Sequence, residues 1–324
     1  QDDMKTTSVR LLCCLIAAFL MRSTAAAAES DIRIAREWGE LHGTLAVPEG
    51  GSATTAVVII AGSGPTDRNG NSSLGLQPRS YAMLSDALCR AGFAVLRYDK
   101  RAIGRSAYPP ERIADLTFDD YIDDAVACVE FLRSEGYERI VPVGHSEGAL
   151  IAGCVAARCD VDGAVLLSGA GYRLDIILNR QLASQLMEVD MGLMVRATAI
   201  LNRLASGRMA DDIPPELQLL FGRHIQPFLI SCMRYDPVET IRGIETPILI
   251  VTGGADIQIT PDNAHRLHEA APESRLVVLD AMSHVLKDCA STDRMEQLST
   301  VYADSTLPLS AGLADAVIEF LTTI

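Results

Sequence analysis

With 324 residues and a formal net charge of −14 at pH 7, the chain is repelled by phosphate backbones. No basic cluster reverses that field locally, so nucleic-acid binding is excluded. Most of its eight cysteines sit in apolar, helix-like stretches where a buried free thiol is a simpler reading than a bridge, and no disulfide pairing follows from their spacing.

In chain order, Lys5 and Arg10 make a positive start, Leu11 to Met21 an apolar run, and Ala26-Ala27-Ala28 a small-residue cleavage pattern. Together they predict a signal peptide over residues 1–28, cut after Ala28, and hence a periplasmic or secreted protein. The run is shorter than the roughly 20 residues of a membrane span, so no stable span is expected once the signal is removed. Ile32 to Val47 alternates like a strand, with Gly43 as a turn or bulge, and reads as an antiparallel leading hairpin closed by Pro48-Glu49-Gly50-Gly51.

From Ala56 the pattern changes to short apolar runs, each followed by a helix-length segment. Ala56–Ala61 is followed by Tyr81–Ala91, Ala94–Tyr98 by Phe118–Leu132, and Ile140–Val143 by Gly148–Cys159, before a further run at Gly163–Leu167. The rhythm resumes with Pro247–Val251, Pro261–Ala271, Arg275–Leu279 and Ala311–Leu321. Strands apolar on both faces, alternating with crossover helices, predict an α/β fold with a mostly parallel eight-stranded sheet covered by helices on both sides. Tyr172 to Ile244 breaks the rhythm with Leu, Met and Ile at three- and four-residue spacing. The expected division is a core of residues 29–171 and 245–324 with a helical cap over 172–244, whose Met187, Met191 and Met194 are expected to pack inward.

The chemistry concentrates at Gly144-His145-Ser146-Glu147-Gly148, between an apolar run and a helix-forming stretch. Glycines two residues to either side of a serine permit a tight strand-to-helix turn that lifts the hydroxyl above the sheet. A serine hydroxyl needs an adjacent base to become a useful nucleophile. Of the six histidines, His284 follows the last strand-like run and is the candidate base; His145, next to the serine, reads as a packing residue. His265 and His268 share a helix face but lack a partner set for a metal, so no metal site is expected. Asp256, just past the run Leu249–Gly253, is the candidate acid that orients the base; Asp280 and Asp262 are its rivals. The oxyanion of an acyl transfer also needs donors, here the backbone N–H groups of Glu147 and of Ser63 in the loop Ala61-Gly62-Ser63-Gly64-Pro65. Gly62 and Gly64 let that backbone approach a substrate. Arg68 is a candidate clamp for a substrate carboxylate, or else part of an ion-pair network with Asp67, Asp99 and Arg101 that ties two loops together.

Residues 61–71, Leu96-Arg97-Tyr98-Asp99-Lys100-Arg101-Ala102-Ile103-Gly104-Arg105-Ser106, the Ser146 turn and Met282-Ser283-His284-Val285-Leu286-Lys287 resemble bacterial α/β-hydrolases of the serine-aminopeptidase-like group that includes EstD-type carboxylesterases. The resemblance spans most of the chain beyond residue 28. It implies the α/β-hydrolase fold and a cofactor-free serine carboxylesterase acting on small acyl esters, with Ser146, Asp256 and His284 as its triad. Relatives often carry His where this chain has Ala61 and Gly where it has Ala102; the first change bears on how the oxyanion loop is anchored, the second is expected to add only a methyl. The same groups serve a thioesterase or a peptidase. A binding protein that kept the fold without turnover is the reading from another class, and the complete set of serine, acid and histidine speaks against it.

Overall fold

The computed structural model describes residues 27–324, so the expected signal peptide lies outside the described residues except for its last two alanines. The apolar runs form one sheet in which successive residues bury on opposite faces. In β3 (Thr55–Ile60), Val58 and Ile60 join one hydrophobic cluster while Val57 and Ile59 join the other. β4 (Ala94–Tyr98), β5 (Arg139–His145) and β6 (Ala164–Leu167) divide in the same way. A strand with two dry faces cannot alternate polar and apolar residues, which explains the continuous runs.

β7 (Ile248–Gly253) and β8 (Arg275–Leu279) extend the sheet in parallel, and the hairpin of β1 (Ala28–Arg36) and β2 (Gly39–Val47) adds two antiparallel strands, giving the order β1-β2-β4-β3-β5-β6-β7-β8. The hairpin turns at Glu37–Trp38; Gly43, expected as a turn or bulge, is mid-strand and paired with both Ile32 and Tyr98. Its missing side chain serves packing, because a Cβ there would lie 2.9 Å from Ile32 Cδ1.

α1 (Ser80–Arg90) covers one face; α2 (Phe118–Ser134) and α3 (Glu147–Arg158) cover the other. Five helices follow between β6 and β7: α4 (Leu174–Leu186), α5 (Met191–Ala205), α6 (Gln218–Phe221), α7 (Gln226–Cys232) and α8 (Pro237–Arg242). Whereas α8 joins the sheet core through Ile241, the first four hold a cluster of their own around Leu201, Leu204, Phe221 and Leu229. The fully buried Gln226 amide ties it together by bonding the backbone of Ala210 and Phe221. Of the three methionines expected to pack inward, Met194 does, while Met187 and Met191 at the α4–α5 connection are exposed. α9 (Asp262–Ala270) packs against α8 on the same side of the sheet as α2 and α3, and α11 (Leu313–Thr323) packs with α1; between them α10 (Arg294–Thr300) is a short helix absent from the expectation.

The chain leaves β3 toward β4 on one side and returns to β5 on the other, so the strand order reverses at β3. In open α/β sheets a ligand crevice forms at such a point, beyond the carboxyl ends of the strands. Here those ends are followed by the glycine loop after β3 and by Ser146 after β5.

Ala102 has φ 69°, in the left-handed region, with its N–H held by the Ser106 carbonyl at 2.9 Å. The methyl is therefore not neutral: a side chain in that conformation costs roughly 1–2 kcal/mol, partly offset by the greater chain entropy of glycine when unfolded. Ala102→Gly is expected to raise stability by about 0.5–1 kcal/mol, read as a higher midpoint in urea unfolding.

Candidate active site

Ser146 is the single residue between β5 and α3, with φ 56° and ψ −116°. Such a conformation costs of order 1–3 kcal/mol and persists only where the surroundings enforce it. They do: a Cβ on Gly144 would lie 1.9 Å from the Gly148 carbonyl oxygen, and one on Gly148 2.2 Å from that of Ile60. The two glycines let α3 press against β3 and β5, and the Ser146 N–H is held by the Leu167 carbonyl at 2.9 Å.

The loop after β8 carries His284 to this turn. Its Nε2 lies 3.1 Å from Ser146 Oγ and its Nδ1 2.8 Å from Asp256 Oδ2. A carboxylate only accepts, so Nδ1 carries the proton and Nε2 is left to accept from the serine hydroxyl. Asp256 Oδ1 accepts the N–H groups of Gln258 and Ile259 at 2.8 and 2.9 Å. Burial works to raise the Asp256 carboxyl, but the His284 imidazole and these two N–H donors outweigh it and hold the group below its ordinary value. It thus stays ionised wherever His284 can act as a base. The arrangement can move the hydroxyl proton to Nε2 and stabilise the imidazolium that results. The rivals are engaged elsewhere: Asp262 pairs with Arg180 at 2.9 Å, and Asp280 is exposed beyond the end of β8.

Two cavities meet at Ser146. The larger, about 290 Å³, is lined by Gly62, Ser63 and Gly64, by Leu74, Leu76 and Tyr302, and by His284 among others. The smaller, about 120 Å³, lies between α3, α4 and α8, lined by Leu150, Leu174, Ile177, Leu178 and Pro237, with Ser63 and Glu147 at its edge. Gly62 packs directly on the Ser146 turn: a Cβ there would lie 3.3 Å from Ser146 Cβ.

Arg68 is not brought to either cavity. Its guanidinium is buried and donates to Asp99 at 2.7 Å and to Thr44 Oγ1 at 3.2 Å, while its backbone N–H reaches Asp99 at 2.9 Å. A clamp would have to abandon the Asp99 carboxylate, which is itself buried, so the network reading prevails over the clamp. The histidine pair stays on the surface side of α9, His268 bonding Ser274 Oγ at 3.0 Å, and no group of three metal-ligating side chains occurs among the described residues. No helix among them is long and apolar enough to cross a membrane.

For three residues of the site the sequence discloses no role there, although His145 and Lys100 lie within the stretches 144–148 and 96–106. His145 is more than packing: its Nδ1 accepts from the Tyr81 hydroxyl at 2.7 Å and its Nε2 donates to the His284 carbonyl at 2.8 Å, joining the turn to the histidine loop. Tyr81, from α1, accepts the Gly62 N–H at 3.0 Å. Lys100 follows the buried end of β4 and is itself buried. A charged residue directly after an apolar strand was the available signal for it.

Burial, with the neighbouring His284 next in effect, lowers His145 to about 3. The unfolded chain takes up this proton near the ordinary value of about 6.5 while the folded one does not. Stability from this group is therefore full above that pH and declines as pH falls toward 3, at a slope of about 1.4 kcal/mol per unit. Urea unfolding between pH 7 and 4 is expected to show this slope in the wild type and a shallower one in His145→Gln; parallel slopes would assign the acid sensitivity elsewhere. For the acid, Asp256→Asn is expected to slow fluorophosphonate labelling of Ser146 by about a thousandfold or more. Asp280→Asn should leave the labelling rate near wild type.

A model of the alpha/beta hydrolase family matches residues 57–298. Esterase EstD of Thermotoga maritima is 27% identical over 262 residues, covering 80% of this chain; the chain spans 60% of that relative's length. Among solved structures, an esterase of Pyrococcus furiosus superposes with a TM-score of 0.60 at 18% identity, over 93% of this chain and 92% of its own. Est1E of Butyrivibrio proteoclasticus, with ferulic acid bound, superposes with a TM-score of 0.58 at 18% identity, over 90% and 98%. Identities this low speak for the fold alone, whereas the family match takes in the sheet from β3 to β8, the Ser146 turn and the His284 loop: the chain belongs to the alpha/beta hydrolase family.

Proposed function

We propose that the protein is a serine carboxylesterase that hydrolyses small acyl esters through an acyl-enzyme on Ser146. The observation that carries the reading is the Ser146–His284–Asp256 chain of hydrogen bonds, 3.1 and 2.8 Å long, opening on a cavity of about 290 Å³. Ser146 Oγ attacks the ester carbonyl as His284 Nε2 takes its proton, and Asp256 stabilises the imidazolium. The carbonyl oxygen, now anionic, is met by the backbone N–H groups of Ser63 and Glu147. His284 then protonates the leaving alcohol. Water enters, gives a proton to the same nitrogen and attacks the acyl carbon; the carbon–Oγ bond then breaks as His284 returns the proton to Ser146, and the acid leaves. Every group the two steps require comes from the chain itself.

The cavities support the choice of a small substrate. They part on either side of Ser146, as the acyl and alcohol halves of an ester must, and the smaller has room for only a few heavy atoms. The relative EstD, described as an esterase, supports the ester bond over other acyl substrates.

The test is hydrolysis of p-nitrophenyl esters from acetate to palmitate by the wild type and by Ser146→Ala. Turnover is expected to be greatest at short chains and to fall at least about a thousandfold in the variant. Labelling of Ser146 by a fluorophosphonate without turnover of any ester would instead indicate a thioester or peptide substrate. Neither labelling nor turnover would sink the proposal.

A further inference from the structure

Lys100 is only 1% exposed, and its ammonium makes two hydrogen bonds to residues at the site. Nζ donates to the Gly62 carbonyl at 2.7 Å and to Glu147 Oε1 at 2.8 Å, and it lies 4.8 Å from the centre of the Tyr121 ring. Burying an ammonium costs several kcal/mol before pairing, and a buried ion pair is poor evidence of net stabilisation. Its partners suggest another purpose. They are the two residues that set the backbone donors of the proposed oxyanion site.

The first link is covalent. The Gly62 carbonyl and the Ser63 N–H belong to one planar trans peptide and point in opposite directions. An ammonium that fixes the carbonyl therefore fixes the N–H on the far side, and it polarises the peptide so that this N–H becomes a stronger donor. Among the described residues, the Ser63 N–H is spent on no other acceptor. The second link is Glu147, whose side chain is held by the same ammonium and whose N–H, at the first position of α3, has no acceptor within the helix. The preceding peptide is held as well. The Gly62 N–H is accepted by the Tyr81 hydroxyl, which donates to His145 Nδ1, and His145 in turn donates to the His284 carbonyl. His145, buried and neutral, keeps the directions of this chain fixed across the working pH range.

We propose that Lys100 and Tyr81 are positioning residues that clamp the Gly62 peptides from opposite sides, so that one buried ammonium aims both the Ser63 and Glu147 N–H groups at the developing oxyanion. The assignment rests on the acyl-transfer reading of the site. It makes neither residue a proton carrier: their effect lies in the stabilisation of the tetrahedral intermediate.

The test compares wild type, Lys100→Met/Glu147→Gln, which removes both charges of the pair together, and Tyr81→Phe, which keeps the ring and removes only the hydroxyl. The probes are p-nitrophenyl acetate and a trifluoromethyl ketone, which forms an anionic hemiketal on a serine; its unfluorinated methyl ketone, which binds without forming that anion, is the control. In both variants kcat is expected to fall about ten- to a hundredfold, somewhat less than outright loss of an oxyanion donor. KM should stay within about threefold, since ground-state binding is untouched. Affinity for the trifluoromethyl ketone should fall by the same factor as kcat/KM, with methyl ketone affinity unchanged. A merely structural role would lower the melting temperature and leave this split absent. Wild-type kcat and trifluoromethyl ketone affinity in the double variant would overturn the role of Lys100; should that variant not fold, the same result in Tyr81→Phe overturns the clamp. Failure of the underlying reading looks different: the wild type itself would neither turn over the ester nor capture the fluorinated ketone, and the assignment would fall with it.

Discussion

The site depends on a backbone contact with no room to spare. α3 reaches the sheet so closely that Gly148 meets the carbonyl of Ile60 and Gly144 meets the carbonyl of Gly148, at separations no Cβ could share. That contact brings the end of β3 beside the end of β5 and leaves one residue, Ser146, to turn the chain. The strain at Ser146 is thus enforced by packing on both sides. The glycine loop, the histidine loop and both cavities are arranged around this point.

The carboxyl end of β4 then ties the surrounding loops together with three consecutive charges, each sent to a different place. Asp99 receives the loop after β3 through Arg68 and also accepts the N–H of Arg105 at 2.9 Å. Lys100 reaches Gly62 and the start of α3. Arg101 pairs with Asp120 and Asp124 of α2, where burial raises the Asp124 carboxyl against the attraction of the guanidinium. An apolar core of the same volume could match such pairs in stability. What it could not do is hold loops in specified directions, because dispersion contacts are not directional and charge-assisted hydrogen bonds are.

This division explains what the sequence discloses and what it hides. Strands buried on both faces are legible because their composition is constrained along the whole run, and G-x-S-x-G is legible because its glycines are demanded by contacts at fixed spacing. His284 and Asp256 can be nominated from the sequence because each lies just beyond an apolar run, where the carboxyl edge of a parallel sheet must be. Gly43 misleads as a turn because a glycine forced by its neighbour Ile32 looks the same in sequence as one forced by its own φ. The reverse holds for Ala102, whose strain is invisible in a residue type that is usually at ease. Arg68 was ambiguous for a different reason. Its partner Asp99 is 31 residues away, and only the tertiary structure decides between a carboxylate of the protein and one of a ligand. His145 and Tyr81, 64 residues apart, are hidden in the same way.

The two cavities draw on different parts of the chain, with consequences for how the site can diversify. The larger is walled by core loops: residues 62–66, the stretch from Gly70 to Tyr81, the His284 loop and Tyr302. Those loops are the ones pinned by Lys100, Tyr81 and His145, so the shape of this side is coupled to the aim of the reacting groups. The smaller takes much of its apolar wall from α4, which packs on the separate hydrophobic cluster through Leu174 and Leu178, while Pro237 comes from α8, whose Ile241 joins the sheet core. Exchanging Leu174, Ile177 or Leu178 alters that wall without touching any hydrogen bond of the Ser146 network. Substitutions in α4 can therefore change what fits on one side of Ser146 while leaving its hydrogen bonds in place, whereas any change to the larger side must also preserve the geometry of the loop that carries Ser63.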